Sequence, residues 1–370
     1  MISVVFALFA ALAFALHLAS AVLTGWRYLR PGRAEGHAER PFISLVRPVC
    51  GLDTYDAETL ASSFALSYPA HEVIFCAAHE GDPAVALLRR LIAENPDVDA
   101  QLLIGEDQIS SNPKLNNLEK GWQAARGSFV VMTDSNLLLP PDYLEQLLAV
   151  CHEDTGLVSS PPVGQRGEGM AAALECAFLN SFQARWQLAA DSLGLGYAQG
   201  KTLMWRREVL ERAGGLAALG RDLAEDVAST KVVRAQGLKV RLSRHAFVQP
   251  IGPRSFPVVW KRQLRWARVR RDGFPGLFAL EILLGPWVPL LALAPWLGVS
   301  LALWALPFLV LWYGAELVLN RIAGWPAAPR DLSAMLLRDL LLAPLWVVTW
   351  RSRGFEWRGT AMAPNPEAKA

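Results

Sequence analysis

Residues 128–136 read SFVVMTDSN and decide the class of fold. An apolar, β-branched run ends at once in four polar residues, which is typical of a buried strand followed by a loop that carries function. Similar apolar runs begin at Ile43 (ISLV), Glu72 (EVIFCAA) and Gln101 (QLLIG), so consecutive runs start about 28 residues apart. Segments of helical character fill the intervals. This alternation predicts an α/β domain with a mostly parallel sheet.

Acidic residues follow or face the predicted strand ends, where parallel sheets bind their ligands. Asp82 and Asp226 each lie at the start of a predicted helix, and for either one alone a helix cap or first-turn acid is a sufficient explanation. Asp134 ends the strand itself. A carboxylate at that position is a hard oxygen ligand, suited to Mg²⁺ or Mn²⁺ that bridges a diphosphate.

The composition of the 370-residue chain is apolar and nearly neutral, with 52% hydrophobic residues, 19% charged residues and a net charge of +2. A disordered chain would be less hydrophobic and a nucleic-acid binder more basic, so both classes are excluded and no nucleic-acid partner is expected. The 4 cysteines are scattered without a C-x-x-C pair, which argues against a zinc cluster and against a disulfide framework.

The N-terminal residues 2–24 contain no Asp, Glu, Lys or Arg. As a helix this segment would reach about 34 Å, enough to cross a hydrocarbon core of about 30 Å. A cleaved signal peptide would have a basic stretch first and a shorter apolar run, so we expect a membrane anchor at residues 1–25. Arg27, Arg30 and Arg33 follow directly. The positive-inside rule therefore places the next segment in the cytoplasm.

A second apolar region is predicted at residues 276–350, which makes the chain a multi-pass membrane protein. No charged residue occurs from Ile282 to Ala315, a run too long for one crossing. We predict two spans, near 277–296 and 299–319, with a turn between them.

A third apolar stretch, 333–350, carries Arg338 and Asp339. These charges are costly inside a bilayer unless they are paired or face protein. The flanking loop and the tail at 351–370 are both basic, and both cannot be cytoplasmic if the stretch crosses once. A crossing helix and a re-entrant or interfacial segment both remain open.

The basic, aromatic run WKRQLRWARVRR at 260–271 precedes this membrane region. Arg262 and Arg265 fall on one helical face, with Trp266 beside them. A juxtamembrane helix attracted to anionic lipids explains such a run, and so does a pair of guanidinium groups that holds a departing phosphate. We expect a cytoplasmic catalytic domain over residues 40–275 that ends in this helix.

In chain order, the three acids and the R-x-x-R-W motif at 262–266 resemble a membrane-bound glycosyltransferase of the GT-A type, in the family 2-like group. Four further segments are similar to the ceramide glucosyltransferase family, family 21. They are LVRPVCGLD (45–53), LSYPAHEVIFC (66–76), SNPKLNNL (111–118) and AEDV (224–227). The resemblance implies a GT-A nucleotide-sugar domain, with transmembrane helices at both ends of the chain.

The same resemblance implies a role for each matching residue. Asp82 would contact the uridine of a UDP-sugar, and Asp134 would hold Mg²⁺ or Mn²⁺ on its diphosphate. Asp226, helped by Glu225, would be the general base on the acceptor hydroxyl. Asn136 stands where many relatives carry a second Asp, which puts its role as a metal ligand in doubt.

The resemblance assigns three further residues to the donor, and the sequence itself suggests two lysines. Arg262, Arg265 and Trp266 would close over it and stabilise the leaving UDP. Lys114 lies where donor ribose or phosphate could bind, although a solvated turn explains it nearly as well, and Lys201 is a weaker phosphate candidate.

The implied reaction is transfer of a hexose, glucose from UDP-glucose first, to the primary hydroxyl of ceramide with inversion. Galactose, glucuronic acid or N-acetylglucosamine as sugar, and diacylglycerol or a hopanoid as membrane lipid acceptor, remain alternatives. A processive polysaccharide synthase would need more spans. A non-catalytic membrane scaffold or a transporter would not explain the acids together with R-x-x-R-W.

Overall fold

The computed structural model describes residues 2–30, 40–351, 354–357 and 360–362. Arg33 lies outside the described residues, as do 352–353, 358–359 and 363–370 of the predicted tail. The strands are β1 Ile43–Val49, β2 His71–Ala77, β3 Ala100–Ile104, β4 Phe129–Thr133, β5 Thr155–Ser159, β6 Pro162–Glu168, β7 Thr202–Arg206, β8 Lys239–Leu242, β9 Phe247–Pro253, β10 Phe355–Trp357 and β11 Thr360–Met362.

The described part of the chain also forms a set of helices. They are α1 Ile2–Leu29, α2 Asp56–Ala61, α3 Pro83–Glu94, α4 Pro113–Ala124, α5 Tyr143–Leu148, α6 Gly169–Ala177, α7 Arg185–Ser192, α8 Arg207–Arg212, α9 Glu225–Ala235, α10 Phe256–Gly273, α11 Pro275–Leu280, α12 Trp287–Ala292, α13 Ala294–Leu297, α14 Leu301–Ala323 and α15 Pro329–Arg351. A π-helical segment, Phe178–Ala184, joins α6 to α7.

The chain divides into two units, one built on a sheet and one helical. The sheet unit consists of the segment between the first helix and Val163 and of the segment Leu193–Gly252. The helical unit takes the N-terminal segment, Gly164–Ser192 and the chain from Pro253 to the end of α15. Two segments of the range predicted as catalytic domain, 164–192 and 253–275, therefore belong to the helical unit.

The sheet unit contains a seven-stranded sheet in the order β3-β2-β1-β4-β7-β5-β8. Its strands are parallel except β7, which runs antiparallel to both β4 and β5. The strand order reverses at β1, because β2 lies on one side of it and β4 on the other. Loops diverge at such a switch point and leave a crevice outside the carboxyl ends of the strands.

The inner strands of the sheet are buried on both faces, which explains why their sequences read as continuous apolar runs. Successive side chains point to opposite faces. Leu45 and Val131 therefore join one core cluster, while their neighbours Val46 and Val130 join the other. The mostly parallel, helix-covered sheet expected from the sequence is confirmed.

The helical unit contains three apolar stretches long enough to cross a membrane, counted over the described residues: Ser3–Leu29, Trp287–Ala323 and Pro329–Arg351. These stretches indicate membrane association. The span predicted at 277–296 is not one helix, since the chain there forms the short helices α11 to α13 around Gly285, Pro286 and Pro295. Proline removes a helical hydrogen bond and clashes with the preceding turn, which breaks the run.

The charges of α15 are paired within the helical unit. Arg338 donates to both carboxylate oxygens of Glu316 on α14, at 3.0 and 3.1 Å. It also bonds Asp339 at 2.8 Å, and Tyr313 donates to the second oxygen of Asp339 at 2.9 Å. All three charged groups are fully buried or nearly so. Arg338 and Asp339 were expected to be paired or to face protein, and this ion cluster pairs both of them.

Candidate active site

The loop that follows β4 is held in place by a buried arginine of β1. Arg47 donates to the backbone carbonyls of Asp134 at 2.9 Å, Ser135 at 3.0 Å and Leu137 at 2.9 Å. It also donates to the carbonyl of Thr59 at 2.6 Å. Burial lowers the pKa of Arg47 to about 10, so the guanidinium is charged at neutral pH. The position of Asp134 is thus fixed from the neighbouring strand.

Two lysines bind the two oxygens of the Asp134 carboxylate. Lys114, at the start of α4, places Nζ 2.7 Å from Oδ1, and Lys201 places Nζ 2.8 Å from Oδ2. Lys201 also donates to Oδ1 of Asn136 at 3.0 Å. Burial alone would raise the pKa of Asp134, but the two ammonium groups hold it well below its usual range. Asp134 is therefore a carboxylate at any physiological pH.

Lys114 connects Asp134 to the start of α9. Its Nζ lies 2.6 Å from Oε1 of Glu225 and donates to the carbonyl of Gly200 at 2.8 Å. Burial acts to lower the pKa of Lys114, but the facing carboxylates outweigh it and raise the pKa. One cation thus joins the acid after β4 to the acids that begin α9. Asn112, which caps α4, donates to Glu225 as well, at 3.4 Å.

Gly200 leaves room for this arrangement. A Cβ atom there would lie 2.7 Å from Oε1 of Glu225 and 3.8 Å from Oδ2 of Asp226. The first distance is shorter than any normal van der Waals contact, so even alanine would displace the Glu225 carboxylate. The glycine thus allows the end of the Glu225 side chain to approach the backbone at this point.

Asp226 lies in the first turn of α9, beside Glu225. Its Oδ1 accepts the backbone N–H of Val227 at 2.8 Å. Burial, and then the negative charge of Glu225, raise the pKa of Asp226 from 3.8 to about 6. A carboxylate with a raised pKa is a stronger base, and it is still ionised at neutral pH. Among the acids of this site, Asp226 therefore has the properties that proton abstraction requires.

Asp82 is a helix cap in the structure. Its carboxylate accepts the backbone N–H of Ala84 at 2.8 Å and that of Gly51 at 2.9 Å. The side chain is buried, and it ties the loop after β1 to the start of α3. The contact to uridine expected from the resemblance stays a prediction.

The donor set fits a cation between Asp134 and Asn136. The ammonium of Lys201 is itself a cation held by one oxygen of each, at 2.8 and 3.0 Å. Within the described part of the chain, no group of three or more His, Cys, Asp or Glu side chains is arranged to hold a metal ion. A divalent cation at Asp134 would therefore take most of its ligands from water and diphosphate oxygens, as Mg²⁺ usually does.

Arg262, Arg265 and Trp266 lie on α10, in the helical unit, and all three are half-buried. Arg262 forms an ion pair with Glu175 of α6, a carboxylate that is completely buried. The structure thus groups Lys114, Asp134, Glu225 and Asp226 in one unit and these three residues in the other.

Two residues that shape these contacts were not predicted from the sequence. Arg47 stands in the middle of the strand ISLVRPV, and Glu175 stands within the apolar helix GMAAALECA. A single charge inside an apolar element is a usable signal, because it must find a partner when the element is buried.

The protein-family model described as glycosyl transferase family 21 matches residues 4–370 of the chain. Ceramide glucosyltransferase 1 of Caenorhabditis elegans is 29% identical over 243 residues, which are 65% of this chain and 52% of that protein. Ceramide glucosyltransferase 3 of the same organism is 27% identical over 346 residues, 88% of this chain and 75% of that protein. The match to the first relative thus spans about half of that relative's length.

One solved structure extends the likeness to the fold. Mannosyltransferase PcManGT from Pyrobaculum calidifontis, in complex with GDP-Man and Mn²⁺, has a TM-score of 0.53 and 20% sequence identity. The superposition covers 90% of this chain and 99% of that one. Together with the sheet topology, it confirms the GT-A type of fold.

Proposed function

The chain belongs to glycosyl transferase family 21, and on that premise we propose that this glycosyltransferase moves glucose from UDP-glucose to the primary hydroxyl of ceramide, with inversion at the anomeric carbon. The names of the curated relatives support glucose as the sugar and ceramide as the acceptor. The observation that carries the proposal is the cluster that joins Asp134, Lys114, Glu225 and Asp226 beside the carboxyl ends of the strands.

The donor's diphosphate is assigned to the lysine end of this cluster. Lys114 and Lys201 present ammonium groups, and such groups bind phosphate oxygens through charge-assisted hydrogen bonds. Asp134 and Asn136 would hold Mg²⁺ or Mn²⁺, which when bound supplies positive charge to the leaving UDP. Mn²⁺ in the mannosyltransferase complex supports a divalent cofactor.

The acceptor end is assigned to Asp226. A primary alcohol is a weak nucleophile, so a base must take its proton as the new bond to the anomeric carbon forms. The raised pKa of Asp226 suits this task, and the neighbouring Glu225, which is held by Lys114, contributes to that raised pKa through its negative charge. A single displacement of this kind inverts the anomeric configuration.

The remaining predicted residues are proposed to complete the donor site. Asp82 would contact the uridine, while Arg262, Arg265 and Trp266 of α10 would stabilise the leaving diphosphate. The apolar helices at both ends of the chain support a membrane lipid as acceptor. The catalytic domain would face the cytoplasm, because Arg27 lies in the last turn of the first apolar helix and Arg30 comes just after it.

The test uses the full chain in detergent, with ceramide, diacylglycerol and a hopanoid alcohol each offered with UDP-glucose, UDP-galactose, UDP-glucuronic acid and UDP-N-acetylglucosamine. Each pair is assayed in EDTA, Mg²⁺ and Mn²⁺, and products are identified by mass spectrometry and NMR. We expect β-glucosylceramide, formed only with a divalent cation. Another sugar or lipid in the main product would replace that part of the proposal. A polymer would indicate a processive synthase, and failure to bind any UDP-sugar would overturn the proposal.

A further inference from the structure

The position of Lys201 is determined by the pairing of β4 with β7. The antiparallel register places Thr133 opposite Thr202, so the next pair beyond the strand ends is Asp134 and Lys201. The backbone N–H of Asp134 donates to the carbonyl of Lys201 at 3.1 Å. Gln199 accepts the N–H of Lys201 through its side chain, at 2.8 Å. Lys201 is thus held across from Asp134 by the sheet itself.

The side chain of Lys201 reaches the place where a metal would bind. Its Nζ is 2.8 Å from Oδ2 of Asp134 and 3.0 Å from Oδ1 of Asn136, and only 13% of the side chain is exposed. These are the two oxygens that the D-x-N sequence would offer to a divalent cation. A metal ion and the ammonium cannot share them.

Electrostatic repulsion, as well as lack of space, prevents a divalent metal ion and the Lys201 ammonium from occupying this position together. Lys114 already occupies the other oxygen of Asp134 at 2.7 Å. A dication added beside two ammonium groups would meet strong repulsion, because the site is largely shielded from water. The negative oxygens of a diphosphate can accept the hydrogen bonds of the Lys201 ammonium in place of Asp134 and Asn136. The dication and the diphosphate can therefore bind together.

We propose that Lys201 is an internal cation that holds the metal position between Asp134 and Asn136 until a nucleoside diphosphate arrives, so that divalent metal binds tightly only together with the donor. Lys201 thereby couples the two ligands, because its ammonium holds the metal position without the donor and binds the diphosphate when the donor is present. The inference rests on the proposed function, since the diphosphate is that of the UDP-sugar.

The test measures Mn²⁺ binding by EPR of the free ion, on the full chain in detergent, with and without saturating UDP. The wild-type protein should bind Mn²⁺ weakly alone and at least about tenfold more tightly with UDP. In Lys201→Met, Mn²⁺ affinity without UDP should rise about tenfold, because no charge-assisted hydrogen bond has to be broken. The gain from UDP should shrink by the same factor.

Two variants control for charge and for position. Lys201→Arg keeps a cation at the site and should stay close to the wild type. Lys239→Met removes a lysine from the first residue of the edge strand β8, where it pairs with Asp154 at 2.7 Å. It should leave Mn²⁺ binding unchanged. If Lys201→Met does not fold, Lys201→Gln serves in its place.

UDP binding, measured by calorimetry on the same samples, separates the two failures. If the wild-type protein binds UDP but Lys201→Met binds Mn²⁺ no more tightly than the wild type, the role of Lys201 is overturned and the proposed function stands. Equal Mn²⁺ affinity in the wild type with and without UDP has the same meaning. If the protein binds no UDP, the proposed function fails and this inference fails with it.

Discussion

Replacement of Asp226 by asparagine tests the base assignment through two independent readouts. The variant Asp226→Asn keeps the size of the side chain and an oxygen that can accept the Val227 N–H, but it cannot take a proton from an alcohol. Since general-base catalysis contributes about 10²–10⁴ in rate, kcat should fall by that factor. Binding of UDP-glucose should survive, because the donor is assigned to Asp134 and the lysines.

The second readout is stability. Folding raises the pKa of Asp226 from 3.8 to about 6, so the folded protein favours the protonated acid. The resulting stabilisation is complete below about pH 4 and is lost as the pH rises through 6. Two pKa units correspond to at most about 3 kcal/mol, and the asparagine variant escapes this loss. It should therefore match the wild type at pH 4 and exceed its free energy of unfolding at pH 8.

The assay combines kcat against pH, calorimetry with UDP-glucose, and thermal unfolding in detergent at pH 4, 6 and 8. Wild-type kcat should rise with pH and reach half its maximum near pH 6. Asp222→Asn is the matched control, since it removes a carboxylate of the same unit that pairs with Lys231 at 2.5 Å. Its effects should be small. Turnover of Asp226→Asn within tenfold of wild type, or loss of UDP-glucose binding, would refute the assignment.

Three further substitutions test the supports of the site and of the helical unit. Arg47→Met removes the guanidinium that three carbonyls of the loop after β4 share; we expect a loss of at least about 3 kcal/mol in the free energy of unfolding, measured by thermal denaturation, together with loss of turnover. Gly200→Ala should displace Glu225 and lower kcat by about a hundredfold, while the control Gly81→Ala, where a Cβ would meet an atom no closer than 3.8 Å, should be neutral in the same assay. Arg338→Met leaves two buried carboxylates without their shared cation and should cost about 3–5 kcal/mol, seen as a low yield of monodisperse protein in size-exclusion chromatography.

The strands of the first half could be predicted from the sequence because their signal is local. Apolar runs were expected to begin at Ile43, Glu72, Gln101 and Ser128, and each strand begins within one residue of these positions. Each run is apolar and bounded by polar residues, so its limits are visible in the sequence. The order of the strands has no such signal. The antiparallel insertion of β7 beside β4 depends on pairing between distant segments.

The same difference between local and distant signals separates what was expected of the site from what was missed. The acids after β4 and at the start of α9 stand out by position and motif. Lys114 and Lys201 were predicted only as phosphate candidates, and their contact with Asp134 was not predicted, since Lys201 reaches Asp134 only through the β4–β7 register. The partner of Arg262 is Glu175, 87 residues away along the chain, and no spacing rule connects them.

The helical unit is built from three separate segments of the chain, which limits how the protein can be truncated. Residues 164–192 lie between two parts of the sheet unit, yet Ala171, Leu174 and Phe178 pack on side chains of α10, α11 and α15. A fragment obtained by removing both terminal regions would keep this apolar internal segment and lose the helices that pack on it. Such a fragment would aggregate however stable its sheet, and lipid nanodiscs with the intact polypeptide are the right starting material for crystallisation or cryo-EM.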